Sequence, residues 1–272
     1  MYTLKRFGQH WLNDGAVLDR IVAAAGLACG DRVLEIGPGL GSLTARLLRQ
    51  VPVVAVEIDR RAVAQLQRQF GGDKRFVLVE GDILREALPE PANVVVANIP
   101  YNISGPILAK LTGSLAQPIR RFRTIVLLVQ KELGQRIAAP PGSRTYGALS
   151  VRLQYLAECE LLFEVPSHCF TPPPKVDSAV IRLTPRPFAL QADDPAHLDA
   201  LVTRAFATRR KMLKNCLKGW VETEKLLAAF ASLDISPDAR AEDLSVERFV
   251  QLSNRLAESD YPSGAARGDR RA

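Results

Sequence analysis

The chain is poor in the residues that hold metals and cross-links. Its 272 residues include three histidines (His10, His168, His197) and four cysteines (Cys29, Cys159, Cys169, Cys216), and both sets are scattered. No metal-ligand spacing appears, so no metal site is expected. The cysteines lack the paired spacing of a disulfide framework, which predicts buried free thiols in a reducing compartment. His168 beside Cys169 reads as a chance neighbour. No apolar run approaches the roughly 20 residues of a membrane span, so no membrane partner is expected. Met1 to Arg6 lead into polar and turn residues, not an apolar signal core. A cytoplasmic location is therefore expected. No internal repeat is visible.

What the chain has in quantity is core material and positive charge. With 47% apolar and 24% charged residues, it suits one large domain plus a small one. A net charge of +7 points to a polyanionic partner. Between His197 and Trp220 six basic side chains (Arg204, Arg209, Arg210, Lys211, Lys214, Lys218) meet one acid, Asp199, so the excess charge is concentrated in one segment.

Strand and helix patterns alternate over the first two-thirds. Strands are predicted at 32–36, 52–58, 76–80, 94–97, 124–129, 161–165 and 179–183. Helices are predicted at 42–49, 60–69, 107–115, 131–138 and 148–157. Such alternation predicts a mostly parallel α/β sheet covered on both faces, with ligands beyond the carboxyl ends of the strands. The pattern breaks around Thr184-Pro185-Arg186-Pro187, predicting a large domain over 1–185. Apolar residues from Leu198 to Leu217 then recur at helical spacing, with further helices at 222–233 and 246–257. A helical domain over 186–258 and a small polar tail over 259–272 follow.

Asn98-Ile99-Pro100-Tyr101 ends the apolar run Val94-Val95-Val96-Ala97. This sequence suits a pocket that alkylates an adenine amine. That amine is a poor nucleophile because its lone pair is delocalised into the ring. The Asn98 side-chain oxygen and the Ile99 carbonyl supply two acceptors that would favour a pyramidal nitrogen. Pro100 stiffens the turn, and Tyr101 offers a face for a base. An ordinary Asn-x-Pro turn at a strand end would look the same.

Upstream, Glu35-Ile36-Gly37-Pro38-Gly39-Leu40-Gly41 follows the first strand. Its glycines let the backbone turn tightly beside a ligand. A nicotinamide dinucleotide fingerprint fits poorly, because position 42 is Ser where a third Gly or Ala is needed. Glu57 ends the second strand, placed to accept ribose hydroxyls. Asp82 follows the third strand, placed to accept from an adenine amino group. Together with Gly37, these strand-end features describe a site for S-adenosylmethionine.

These segments resemble the KsgA/RsmA family of ribosomal RNA adenine dimethyltransferases. The resemblance runs from Lys5 to about Lys218. It rests on Lys5-Arg6-Phe7-Gly8-Gln9-His10-Trp11-Leu12-Asn13-Asp14, the glycine loop, and Asn98 to Ser104. Tyr146-Gly147-Ala148-Leu149-Ser150-Val151 and the block from Phe170 to Val180 complete it. By this resemblance His10 and Leu12 touch the cofactor, His10 standing where Asn is common. Gly37, Glu57, Asp82 and Asn98 match the remaining cofactor positions, and Phe170 the aromatic facing the target base opposite Tyr101.

The implied fold is a Rossmann-like methyltransferase sheet of seven strands, the last antiparallel, with a small all-α C-terminal domain. The implied substrate is a pair of adjacent adenosines near the 3′ end of 16S rRNA, in the small ribosomal subunit or its precursor, each dimethylated at N6. A monomer is expected. Arg204, Lys211 and Lys218 recur every seven residues opposite the apolar stripe, predicting one basic helix face that grips rRNA phosphates. Rival readings are a macrolide-resistance methyltransferase acting on large-subunit rRNA, a non-catalytic nucleic-acid-binding factor, and a DNA adenine methyltransferase. The entry segment and the Phe170 to Val180 block favour the small-subunit enzyme.

Overall fold

The structure is a computed structural model that describes residues 10–208 and 210–257. The chain divides into two compact units. One takes the chain up to Ala139 together with Leu153–Pro187; the other takes Pro140–Arg152 and the chain from Phe188 onward.

The first unit is built on apolar, β-branched runs that cannot face water on either side. Its strands are β1 (Trp11–Leu12), β2 (Val33–Ile36), β3 (Val53–Glu57), β4 (Phe76–Glu80), β5 (Val94–Asn98), β6 (Thr124–Gln130), β7 (Ala157–Val165), β8 (Phe170–Thr171) and β9 (Ser178–Pro185). Seven of them form one sheet in the order β4-β3-β2-β5-β6-β9-β7. β9 runs antiparallel to both its neighbours, and the pairs from β4 through β6 are parallel. The expected seven strands with an antiparallel last one are therefore present. All of β2 and β3 is buried, as is β5 up to Ala97.

Helices of this unit are α1 (Gly15–Ala24), α2 (Thr44–Leu47), α3 (Arg60–Phe70), α4 (Ser104–Thr112) and α5 (Lys131–Ile137); α6 (Ala148–Leu156) leads from the second unit into β7. The helix α1 is absent from the sequence-based expectation. The Asp14 carboxylate caps it by accepting from the Val17 N–H at 3.0 Å, and Val17, Leu18, Ile21 and Val22 are buried. This is an ordinary N-cap followed by an apolar face. A second, two-stranded sheet pairs β1 with β8, setting Leu12 opposite Phe170. α2 covers half of its predicted span. β7 starts four residues before its predicted start and carries a register shift between Leu161 and Phe163.

The second unit holds α7 (Pro195–Ala205), α8 (Leu213–Cys216), α9 (Thr223–Ser232) and α10 (Val246–Ala257). Two expectations are corrected here. The segment Pro140–Arg152 belongs to this unit, not to the first domain. The Gly142 N–H donates to the Glu242 carbonyl at 2.7 Å, the Arg152 guanidinium pairs with Asp199 at 2.6 Å, and Tyr146 meets Phe206 edge-on. Sequence order alone hides such a long-range assignment.

The continuous basic helix is also absent. α7 stops at Ala205 and α8 begins only at Leu213. The polar run from Thr208 to Lys211 supplies no apolar side chain to extend the stripe. Met212 is extended and bridges antiparallel to Arg240, and the Leu213 N–H donates to the Ala239 carbonyl at 2.8 Å. Arg204, Lys211 and Lys218 therefore do not share one helix face. Arg209 and the predicted tail lie outside the described residues.

Among the described residues no helix is long and apolar enough to cross a membrane, and no group of three or more His, Cys, Asp or Glu side chains could hold a metal. The four cysteines are free, but their burial differs from expectation. Cys169 is buried, Cys159 and Cys216 are half-buried, and Cys29 is exposed.

Candidate active site

A cleft of about 250 Å³ opens at the carboxyl ends of the parallel strands. Four adjacent strand ends bring the expected cofactor residues to it. In sheet order these are Asp82 after β4, Glu57 closing β3, Gly37 after β2 and Asn98 closing β5. All four line the cleft, and so do His10, Leu12 and Tyr101. The register explains the clustering, since Ile36 pairs with Val56 and Glu57 with Glu80. The apolar strands thus end nearly level, so the residues that close or follow them gather around one cleft.

The loop after β2 needs its glycines. Gly37, Gly39 and Gly41 have φ of +64°, +57° and +82°, values that L side chains rarely adopt. A Cβ on Gly41 would also lie 2.6 Å from the Phe70 ring. Above Gly37 the space is open: an added Cβ would meet nothing within 4 Å.

Glu57 is only 5% exposed. Its Oε2 accepts from the Gly39 N–H at 3.0 Å and its Oε1 from the Asp59 N–H at 2.8 Å. Burial raises its pKa, opposed by these backbone hydrogen bonds. The carboxylate is therefore preset by the glycine loop and by the Ile58 and Asp59 amides, and it keeps acceptor capacity for a further donor. Asp82 Oδ1 accepts from the Leu84 N–H at 3.0 Å.

One carboxyl of the cleft has no role in the sequence-based reading. Glu35 is 1% exposed, and its Oε2 accepts from Thr44 Oγ1 at 2.7 Å. Burial pushes its pKa up to about 8; the Thr44 hydrogen bond opposes this and the charge of Glu57 adds to it. The available signal was an acid inside the apolar run Val33-Leu34-Glu35-Ile36.

At the other end of the cleft, Asn98 Nδ2 donates to the His10 carbonyl at 3.1 Å. With its amide nitrogen so occupied, Asn98 keeps its oxygen as an acceptor. Ile99 is buried, and Pro100 caps the 3-10 turn Tyr101–Ile103 that leads into α4. The Tyr101 hydroxyl is 2.6 Å from Ser178 Oγ. Burial raises the Tyr101 pKa, opposed by that hydrogen bond, so the ring is a neutral phenol at pH 7. The His10 imidazole stacks on it, with centroids 5.8 Å apart and planes 21° apart. His10 Nδ1 is 2.8 Å from the Pro172 carbonyl.

Phe170 is not brought into this group. Its ring is 2% exposed within the hydrophobic core beside Leu12, and it does not line the cleft. The ring facing Tyr101 is that of His10.

This donor set suits a nucleoside-bearing ligand. Among the described residues it offers a buried carboxylate, a second acid after the adjacent strand, open space over a glycine loop, and no cationic cradle for a pyrophosphate.

Comparison with known proteins agrees with the geometry. Residues 3–258 match the family model described as ribosomal RNA adenine dimethylase. The chain is 54% identical to ribosomal RNA small subunit methyltransferase A of Synechococcus sp. (strain JA-3-3Ab), covering 98% of both chains. It is 52% identical to the protein of the same name from Synechococcus elongatus, over 93% of this chain and 95% of that one. Among solved structures, a dimethyladenosine transferase from Plasmodium falciparum is 28% identical with a TM-score of 0.79, covering 92% of this chain and 98% of its own. The 23S rRNA methyltransferase ErmE is 26% identical with a TM-score of 0.75, covering 91% and 99%. With the strand-end acids, the glycine loop and the Asn98 turn all in one cleft, the chain belongs to the ribosomal RNA adenine dimethylase family.

Proposed function

We propose that this protein transfers methyl groups from S-adenosylmethionine to N6 of two adjacent adenosines in the 3′-terminal hairpin loop of 16S rRNA. The products are dimethyladenosines, made in the cytoplasm during small-subunit biogenesis by a monomeric enzyme. The observation that carries this reading is the Asn98–Tyr101 turn at the end of β5, in the same cleft as Glu57 and Asp82. The large-subunit alternative resembles ErmE at 26% identity, against 54% for a relative named for the small subunit.

The donor, when bound, supplies a methyl already activated on a sulfonium, so neither a metal ion nor a covalent enzyme intermediate is required. Glu57 accepts from the ribose hydroxyls and Asp82 from the adenine amino group, while Gly37 leaves room for the ligand. His10, Leu12 and Asn98, which line the same cleft, would complete the cofactor contacts. The target base leaves its stack and lies against Tyr101, an interaction worth roughly 1–3 kcal/mol. A base on the face of Tyr101 that His10 covers must displace the imidazole. The expected role of Phe170 as a second wall likewise needs its ring to leave the core. Asn98 Oδ1 and the Ile99 carbonyl hold the amine and stabilise charge developing on nitrogen. Rate comes mainly from alignment, and the spent proton passes to water, so no general base is assigned. After the first transfer one N–H is gone, and one acceptor must hold the amine alone.

Asn98→Ala is expected to lower kcat by about 10²-fold or more, the scale for removing one preorganised transition-state partner. Its thermal melt should match that of the wild-type protein. Transfer at the wild-type rate by a folded Asn98→Ala protein would sink the mechanism.

A further inference from the structure

Residues 81–93 between β4 and β5 carry Asp82, yet they contain no helix or strand. Something other than regular pairing must hold this connection, because an acceptor on a loose loop gains little binding energy for a ligand. The near end is tied to the sheet, with the Gly81 N–H donating to the Glu57 carbonyl at 2.9 Å. Asp82 then starts a tight turn. Its own carbonyl receives the N–H groups of Arg85 and Glu86 at 2.8 and 2.9 Å, and its carboxylate receives that of Leu84. The Glu86 side chain folds back so closely that a Cβ on Gly81 would lie 2.6 Å from its Oε1.

The far side of the turn presents carbonyls with no neighbouring strand to receive them. A single cation takes two of them: Lys110 Nζ donates to the Glu86 carbonyl at 2.5 Å and to the Leu84 carbonyl at 3.3 Å. Lys110 stands in the last turn of α4, the helix that follows directly from the Asn98–Tyr101 turn. Its neighbours Ile107, Leu108 and Leu111 are fully buried, so the point from which it reaches is rigid. Hydrogen bonds from a charged donor are roughly twice as strong as neutral ones. Further along, Arg121 performs the same service, donating to the Leu88, Pro89 and Ala92 carbonyls and pairing with Glu90.

We infer that Lys110 is a positioning residue for the cofactor: by fixing the turn that follows Asp82, it ties the donor-binding end of the cleft to the helix that follows the acceptor motif. This rests on the proposed methyltransferase reading, since Asp82 matters here as the acceptor for the donor's adenine. Lys110 touches neither substrate. Its effect is on where Asp82 points and how long it stays there.

The test is S-adenosylmethionine binding to the full-length protein by titration calorimetry, with hydrogen exchange of the 82–86 amides in the unliganded state. Lys110→Met is expected to weaken binding about tenfold, ~1.4 kcal/mol, and to speed exchange of the Glu86 amide. Lys110→Arg, which keeps a charged donor, should restore both. Should Lys110→Met fail to fold, Lys110→Gln makes the same comparison, with an intermediate weakening. Wild-type affinity in a folded Met or Gln variant, or equal weakening by Arg and Met, would overturn the inference. Failure of the wild-type protein to bind S-adenosylmethionine would instead overturn the reading on which it rests.

Discussion

At the residue scale, the two buried carboxyls of the cleft make a pH-dependent statement. In the folded protein Glu35 keeps its proton up to about pH 8, whereas in the unfolded chain it releases it near its ordinary value of 4.5. Between these values the folded state binds the additional proton, so this group's contribution makes stability fall as pH rises from about 4.5 to about 8. Glu57, also raised by burial, acts with the same sign. Glu35→Gln keeps an acceptor for Thr44 Oγ1 and removes one titration. Urea unfolding at pH 5 and pH 8 should show the variant gaining stability over wild type at the higher pH. The slope removed is at most ~1.4 kcal/mol per pH unit. An equal difference at both pH values would mean Glu35 is ionised throughout.

The same scale shows what could be read from the chain. Gly37, Glu57, Asp82 and Asn98 were legible because each is a polar or glycine residue ending or following an apolar strand, and a level parallel sheet brings such ends together. The facing of Phe170 toward Tyr101 was implied by the resemblance alone and could not be read from the pattern of the chain. A two-residue strand does not reveal which face its ring takes, and this one turns into the core opposite Leu12. His10 against Tyr101 was invisible, since 91 positions separate them.

At the element scale, the break between α7 and α8 changes which cations can meet RNA. Arg204 lies over the Trp220 ring at 4.8 Å and Lys214 pairs with Asp238 at 3.1 Å. Arg210, Lys211 and Lys218 are exposed, and no ion pair among the described residues engages them. They sit on the connection and turn that flank α8 instead of along one helix face. Apolar periodicity alone suggests a continuous helix, because Leu213 and Leu217 happen to continue the α7 stripe across a stretch whose described residues, 206–208 and 210–212, are not helical. Reversing the charge of Lys211 and Lys218 should weaken rRNA binding. It should also lower the slope of log affinity against log salt by about 1 for each phosphate no longer neutralised. An unchanged slope would remove these residues from the interface.

At the scale of the whole molecule, the sheet was the most legible part. Its alternating strands and helices admit few topologies, and the antiparallel β9 between β6 and β7 completes the expected seven. The interleaved second unit was not legible. Pro140–Arg152 lies within the stretch of alternating strand and helix patterns, yet its partners Asp199, Phe206 and Glu242 come much later in the chain. What the sheet assembles is one cleft lined by Glu57, Asp82, Asn98 and Tyr101, on which the proposed function rests. The claim that depends on all of it is the identity of the methylated atoms. The direct measurement is to incubate the protein with labelled S-adenosylmethionine and small ribosomal subunits lacking the modification, then map and weigh the labelled nucleotides. Two adjacent adenosines near the 3′ end of 16S rRNA, each carrying two methyl groups on N6, is the expected result. Label in large-subunit rRNA, label at another position of the base, or no transfer at all would contradict it.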